Sequence, residues 1–216
     1  LKCKFCQNYD TSQMDRGHEV ASDKLASIFL SLQRRGCHNI NLVTPTHQMP
    51  VILEAFDLAV SDGLDLPVVY NCGGYEKVET IKKLEGIIDI YMPDFKWGTN
   101  ELGKKYSGAS DYADRAKAAL IEMHRQVGVL KTDRRGVATK GLLIRHLVMP
   151  DMFENSKLVL DFIAENLSKD TYVNIMDQYH PAYKAREMPE INKRISYKDY
   201  LKILNYAESI GLHRGF

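Results

Sequence analysis

The sequence predicts an α/β protein whose parallel strands alternate with outer helices to form a partial (β/α) barrel. Three observations carry that expectation. Short apolar runs rich in β-branched and aromatic residues alternate with longer amphipathic stretches. The runs are almost continuously apolar, as strands covered on both faces are. Polar or ionisable residues recur at their carboxyl ends: Thr46 and His47, Asn71, Asp94 and Lys96, Arg145 and His146, then Asp177 and His180. Parallel α/β sheets place their chemistry at those ends. An open doubly wound sheet is the other closure, and the lack of G-x-G-x-x-G after the first run argues against its nucleotide-binding version.

The elements follow in order. Strands are expected at Ile40–Thr44, Pro67–Asn71, Ile87–Met92, Leu142–Val148 and Tyr172–Met176, each ending near Gly, Pro, Asn or Asp. The first helix begins at Ser22, a suitable N-cap, aligns Leu25, Ile28, Phe29 and Leu32, and stops at Gly36. The second carries Pro50 in its first turn, turns Ile52, Ala55, Phe56 and Ala59 inward, and ends at Gly63. Further helices are expected at Tyr75–Leu84, Tyr112–Val127, Phe153–Leu167 and Tyr197–Ile210. The stretch Lys131–Gly141 reads as a polar loop within one domain spanning residues 1–216, because neither flank forms a full core alone.

Composition narrows the function classes. The chain has 216 residues, 29 basic and 28 acidic, for a net charge of +1. That balance gives no electrostatic reason to expect nucleic acid or a membrane surface as partner. No apolar run approaches the ~20 residues that span a bilayer, and no secretory segment is visible. Four cysteines in a chain this long are not a disulfide scaffold. The expectation is a cytoplasmic protein whose close cysteines bind metal or do chemistry.

Those cysteines open the chain, in "LKCKFCQNYD". Alone, Cys3 and Cys6 fit half a zinc ribbon, a disulfide, or the remainder of a larger cluster motif, and no second C-x-x-C follows to complete a zinc site. The stretch C-K-F-C-Q-N-Y resembles the end of the C-x-x-x-C-x-φ-C motif of radical S-adenosylmethionine enzymes, φ being an aromatic. Cys3 matches the second cysteine, Cys6 the third and Phe5 the aromatic. The first cysteine would fall two residues before Leu1, so the chain reads as lacking its first strand and first cluster ligand.

The resemblance covers most of the chain and is closest to pyruvate formate-lyase activating enzyme-like proteins. "NLVTPTH" stands where many members carry a Gly-Gly-Glu run, with Pro45, Thr46 and His47 in its place. "YMPDFK" resembles the strand whose Asp-x-Lys reaches the cofactor, "LLIRHLVMP" the late strand with Arg145 in a polar slot, and "MDQYHP" the final Tyr-His element. The resemblance implies a [4Fe–4S] cluster on Cys3 and Cys6, with S-adenosylmethionine on the iron that has no cysteine. It assigns Phe5 and Asn8 beside the cluster, and Thr46, His47, Asn71 and Arg145 to the cofactor. Asp94, Lys96 and His180 are assigned to catalysis. It implies radical oxidoreductase chemistry, with hydrogen abstraction from a glycine of a partner glycyl-radical protein. The electron donor would be of the flavodoxin or ferredoxin kind. A different protein or small-molecule substrate, or a non-catalytic metal-binding domain, are the alternatives.

Each residue also has a plainer reading. His47 caps the next helix, His180 before Pro181 stabilises a turn, and Asp94 with Lys96 forms an ordinary strand-end ion pair. Cys37 and Cys72 are isolated and read as core packing, and His124 as structural.

Overall fold

The β-branched runs pair in parallel. In the computed structural model of the chain, which describes residues 1–14 and 16–216, β1 (Ile40–Val43) lies beside β2 (Val68–Cys72), and β2 beside β3 (Ile90–Pro93). Beyond the two-residue β4 (Lys131–Thr132), β3 pairs with β5 (Ala138–Leu147), and β5 with β6 (Tyr172–Met176). All four of these pairings are parallel. β2 is buried along its whole length, as a central strand covered on both faces must be. Among the described residues β1 and β6 do not pair with each other, so the sheet is open rather than closed into a barrel.

Helices surround the sheet: α1 (Tyr9–Gln13), α2 (Ser22–Arg34), α3 (Met49–Ser61), α4 (Val78–Lys82), α5 (Asn100–Ser107), α6 (Tyr112–Val127), α7 (Phe153–Asn166) and α8 (Tyr197–Ser209). The apolar stripes of α2 and α3 meet through Phe29 and Phe56, whose rings stack 4.7 Å apart. One buried cluster runs from Cys3 and Phe5 to Ile203, Ala207 and Leu212, so both ends of the chain contribute to the same core. Among the described residues no helix is long and apolar enough to cross a membrane.

Several boundaries differ from expectation, each for a local reason. Ser22 is the first helical residue of α2, and the cap is Ala21, which offers no side-chain acceptor. Tyr75, Glu76 and Lys77 stay outside α4 because Gly74 turns left-handed (φ 76°) against the carbonyl of Asp94. The supposed loop at Lys131–Gly141 is a hairpin: β4 folds back antiparallel onto the start of β5. Its turn is held by Asp133, whose carboxylate accepts from the backbone N–H groups of Arg135 and Val137 at 2.8 and 2.9 Å. The polar helix α5 was not anticipated. Thr99 caps its start by accepting from the Leu102 N–H, and Gly108 ends it in the left-handed conformation.

His146 on β5 is fully buried. Its Nδ1 lies 2.8 Å from the Phe95 carbonyl, which only accepts, so Nδ1 carries the proton and Nε2 accepts from the Ser156 hydroxyl at 2.8 Å. Burial pushes its pKa down to about 4. Between roughly pH 6.5 and that value the unfolded chain takes up a proton that the folded chain refuses, so stability falls as the pH drops. Urea unfolding should show the wild type losing about 2–3 kcal/mol from pH 7 to pH 4.5 through this group. His146→Gln should lack that part of the loss, and identical pH dependence in the two proteins would refute the assignment.

Candidate active site

The carboxyl end of β3 builds an ion cluster. Past Pro93 the chain stays hydrogen-bonded to both neighbours: Asp94 N–H donates to Cys72 O at 2.9 Å, and Phe95 N–H to Arg145 O at 2.8 Å. Alternation along this extended segment sets Asp94 and Lys96 on one side and Phe95 in the core. Arg145 of β5 donates through Nε to Asp94 Oδ1 at 2.7 Å and through its terminal nitrogen to Asn71 Oδ1 of β2 at 2.8 Å. Lys96 Nζ takes the other oxygen of Asp94. The Lys96, Asp94 and Arg145 side chains are 13%, 19% and 26% exposed.

Burial is the largest influence on Asp94 and would raise its pKa, but Lys96 and Arg145 together outweigh it and hold the carboxyl below the usual carboxylate range. For Lys96 burial acts downward, and Asp94 more than offsets it, so the ammonium is stabilised. One carboxylate faces two cations, which leaves one positive charge without a counter-charge inside the cluster.

The surrounding shell fixes the loop that carries Lys96. The fully buried Tyr112 at the start of α6 sets its hydroxyl among Lys96 N–H (3.0 Å), Asp94 O (2.9 Å) and Gly73 O (3.0 Å). Asn155 of α7 donates to Lys96 O at 2.9 Å and accepts from Gly98 N–H at 2.8 Å. Gly74 approaches so closely that a Cβ there would lie 2.3 Å from Asp94 O.

The cysteine pair sits on a turn closed by Cys6 N–H to Cys3 O at 3.3 Å. Main-chain bonds from Lys2 and Lys4 to Ser107 and Tyr106, at 3.1 and 2.8 Å, fasten it to the last turn of α5. Phe5 is buried edge-on to Trp97 (5.7 Å) and Tyr179 (6.2 Å). Trp97 follows the carboxyl end of β3 and Tyr179 that of β6, so the turn lies on the carboxyl side of the sheet. Cys3 is buried, Cys6 half-buried, and both are free thiols.

A second polar chain runs from β2 to β1. The hydroxyls of Tyr70 and Thr46 lie 2.8 Å apart, and Thr46 donates to the carboxylate of Glu76, 3.0 Å from each oxygen. Glu76 is 6% exposed, and the Thr46 hydroxyl is hydrogen-bonded to both of its oxygens. Burial pushes its carboxyl up. Thr44, at the end of β1, bends this loop with a φ of 52°, a strained conformation for a β-branched residue.

The fold thus gathers Asn71, Asp94, Lys96 and Arg145 into one cluster, with Phe5 and Cys3 on the same side of the sheet. Thr46 contacts Glu76 and Tyr70 instead of sharing a site with His47, which is exposed. Asn8 is exposed and precedes α1 without capping it. His180 is exposed too; its Nδ1 accepts from Gln7 Nε2 at 3.2 Å, tying the segment after β6 to the cysteine turn rather than reaching Arg145. Glu76, Tyr112, Ser107 and Asn155 were missed. Glu76 alone carried a legible signal: an acid four residues past a strand end, after two glycines. Among the described residues no three His, Cys, Asp or Glu side chains are grouped to hold a metal.

Asp94→Asn keeps the shape of the cluster and removes its only negative charge. Leaving two cations unpaired costs about 3–5 kcal/mol when fully buried, and the partial exposure here puts the expected loss at about 3 kcal/mol in denaturant unfolding. Because the folded carboxyl is held low, its stabilisation is complete above about pH 4 and vanishes as the pH falls through the depressed value. The Asn variant should lack that acid limb.

No protein-family model matches the chain. An uncharacterized protein of Methanocaldococcus jannaschii is 33% identical over 221 aligned positions, covering 98% of this chain and 60% of that protein. The chain therefore spans about three-fifths of the length of the relative it matches.

Proposed function

We propose that this chain carries the core of a radical S-adenosylmethionine enzyme on a partial (β/α) barrel, and that it abstracts hydrogen from a glycine of a partner glycyl-radical protein. The observation that supports it best is the Cys3–Phe5–Cys6 turn, with Cys3 and Phe5 buried, lying on the carboxyl side of a parallel sheet. The donor set fits part of a cluster site: two cysteines on one tight turn, with serine hydroxyls rather than carboxylates at their sulfurs. A cluster with three cysteine ligands leaves one iron for another donor, and in the resemblance Cys3 and Cys6 are the second and third of those ligands.

When bound, the cluster and S-adenosylmethionine supply the electron and the 5′-deoxyadenosyl radical that takes the substrate hydrogen. The residues of the chain bind and orient. Cys3 and Cys6 hold iron, and Phe5 screens the site from water between Trp97 and Tyr179. The surplus positive charge on Lys96 and Arg145 suits the carboxylate of the methionine moiety. Glu76, oriented by Thr46, suits its ammonium. Asn71 holds Arg145 in place through its amide oxygen.

The test is anaerobic reconstitution of the full-length protein with iron and sulfide, followed by a reductant and S-adenosylmethionine. The expected products are 5′-deoxyadenosine and methionine in equal amounts. Cys6→Ala should lose the cluster's EPR signal, and calorimetric titration of Arg145→Ala should show affinity for S-adenosylmethionine falling roughly ten- to a hundredfold. A protein that takes up no cluster and cleaves nothing would instead be a non-catalytic domain.

A further inference from the structure

Ser107 is a buried polar residue that no step above uses. It ends α5 with only 1% of its surface exposed. Its hydroxyl lies between two groups: the indole nitrogen of Trp97 at 2.7 Å and the sulfur of Cys3 at 3.2 Å. The indole N–H only donates, so the Ser107 oxygen must accept from it. Its own proton is then free for the other neighbour. With Cys3 as a thiol, the S–H points at the serine oxygen. With Cys3 as a thiolate the sulfur only accepts, and the serine proton turns onto it while the indole bond stays in place.

The position is held from several directions. The backbone carbonyl of Ser107 accepts from Lys2 N–H at 3.1 Å, so the serine and the cysteine turn are joined by main chain as well as side chain. Trp97 cannot swing away, because its ring stacks on Tyr106 at 5.2 Å and meets Phe5 edge-on at 5.7 Å. Trp97 is itself fully buried. A chain of donors in such surroundings is polarised along its length, which strengthens the terminal bond.

We infer that Ser107 is a positioning residue that donates one hydrogen bond, backed by Trp97, to the metal-bound sulfur of Cys3 and thereby raises the reduction potential of the cluster; this rests on the cluster-binding reading above. One-electron reduction adds negative charge and no proton, so a donor aimed at a ligand sulfur favours the reduced form. The electron comes from a low-potential carrier protein or chemical reductant, and the serine proton stays on its oxygen throughout.

The experiment is an EPR-monitored redox titration of the reconstituted full-length protein and three variants, with iron content measured for each. Ser107→Ala should hold the same iron and shift to a lower midpoint potential. Ser107→Thr, which keeps the hydroxyl, should titrate as wild type. Trp97→Phe, which keeps a ring against Phe5 and Tyr106 but drops the donor behind Ser107, should shift the same way by less. If Ser107→Ala does not fold, Trp97→Phe decides: an unmoved potential there overturns the inference. Equal potentials for Ser107→Ala and wild type at equal iron content overturn this inference alone, whereas a wild-type protein that takes up no cluster overturns it together with the proposed function.

Discussion

The carboxylate of Asp94 holds the carboxyl ends of the sheet in register. Its backbone N–H bonds to β2 and its side chain to Arg145 of β5, while Lys96 closes on it from its own strand. Lys96 and Arg145 carry like charges that repel each other across the site. Without the carboxylate between them, the two would be left as unpaired like charges at the strand ends. Tyr112 and Asn155 add neutral bonds to the same segment, but these fix the backbone and leave the charge balance to Asp94.

That dependence reaches the cysteine turn indirectly. Trp97 and Gly98 follow Lys96 in the same loop, and Phe5 packs on Trp97. The turn also hangs on α5, whose last residues supply both main-chain acceptors for Lys2 and Lys4. A polar helix that buries only Gly103, Tyr106 and Ser107 would be marginal alone. It is stabilised by what it holds, and the turn is ordered by the helix. The two form one unit.

The parts legible in the sequence were those governed by long apolar periodicity. The five main strands were expected within a few residues of where they lie, because β-branched runs such as Val68–Cys72 have one stable place, inside the sheet. The parts that were not legible depend on contacts distant in sequence. β4 is two residues long and exposed, so it leaves no periodic trace. Nothing near Ser107 shows that its hydroxyl meets a cysteine 104 positions away. His180 and His47 looked functional because they sit just past apolar runs, yet both face solvent. A strand end specifies where a side chain starts, whereas the following turn decides where it points.

Two features of the strand ends are complementary in charge. The Asp94 cluster carries one cation more than it neutralises, and Glu76 is a buried acid held by the Thr46 hydroxyl. Each is costly in isolation: burial raises the Glu76 carboxyl and works against the charge on Lys96. On the function proposed above, a ligand bringing a carboxylate to the first and an ammonium to the second would relieve both costs. The zwitterionic end of an amino acid has that pattern. Such a ligand would meet groups already held by Thr46, Asn71 and Tyr112, so little of its binding energy would go into ordering them.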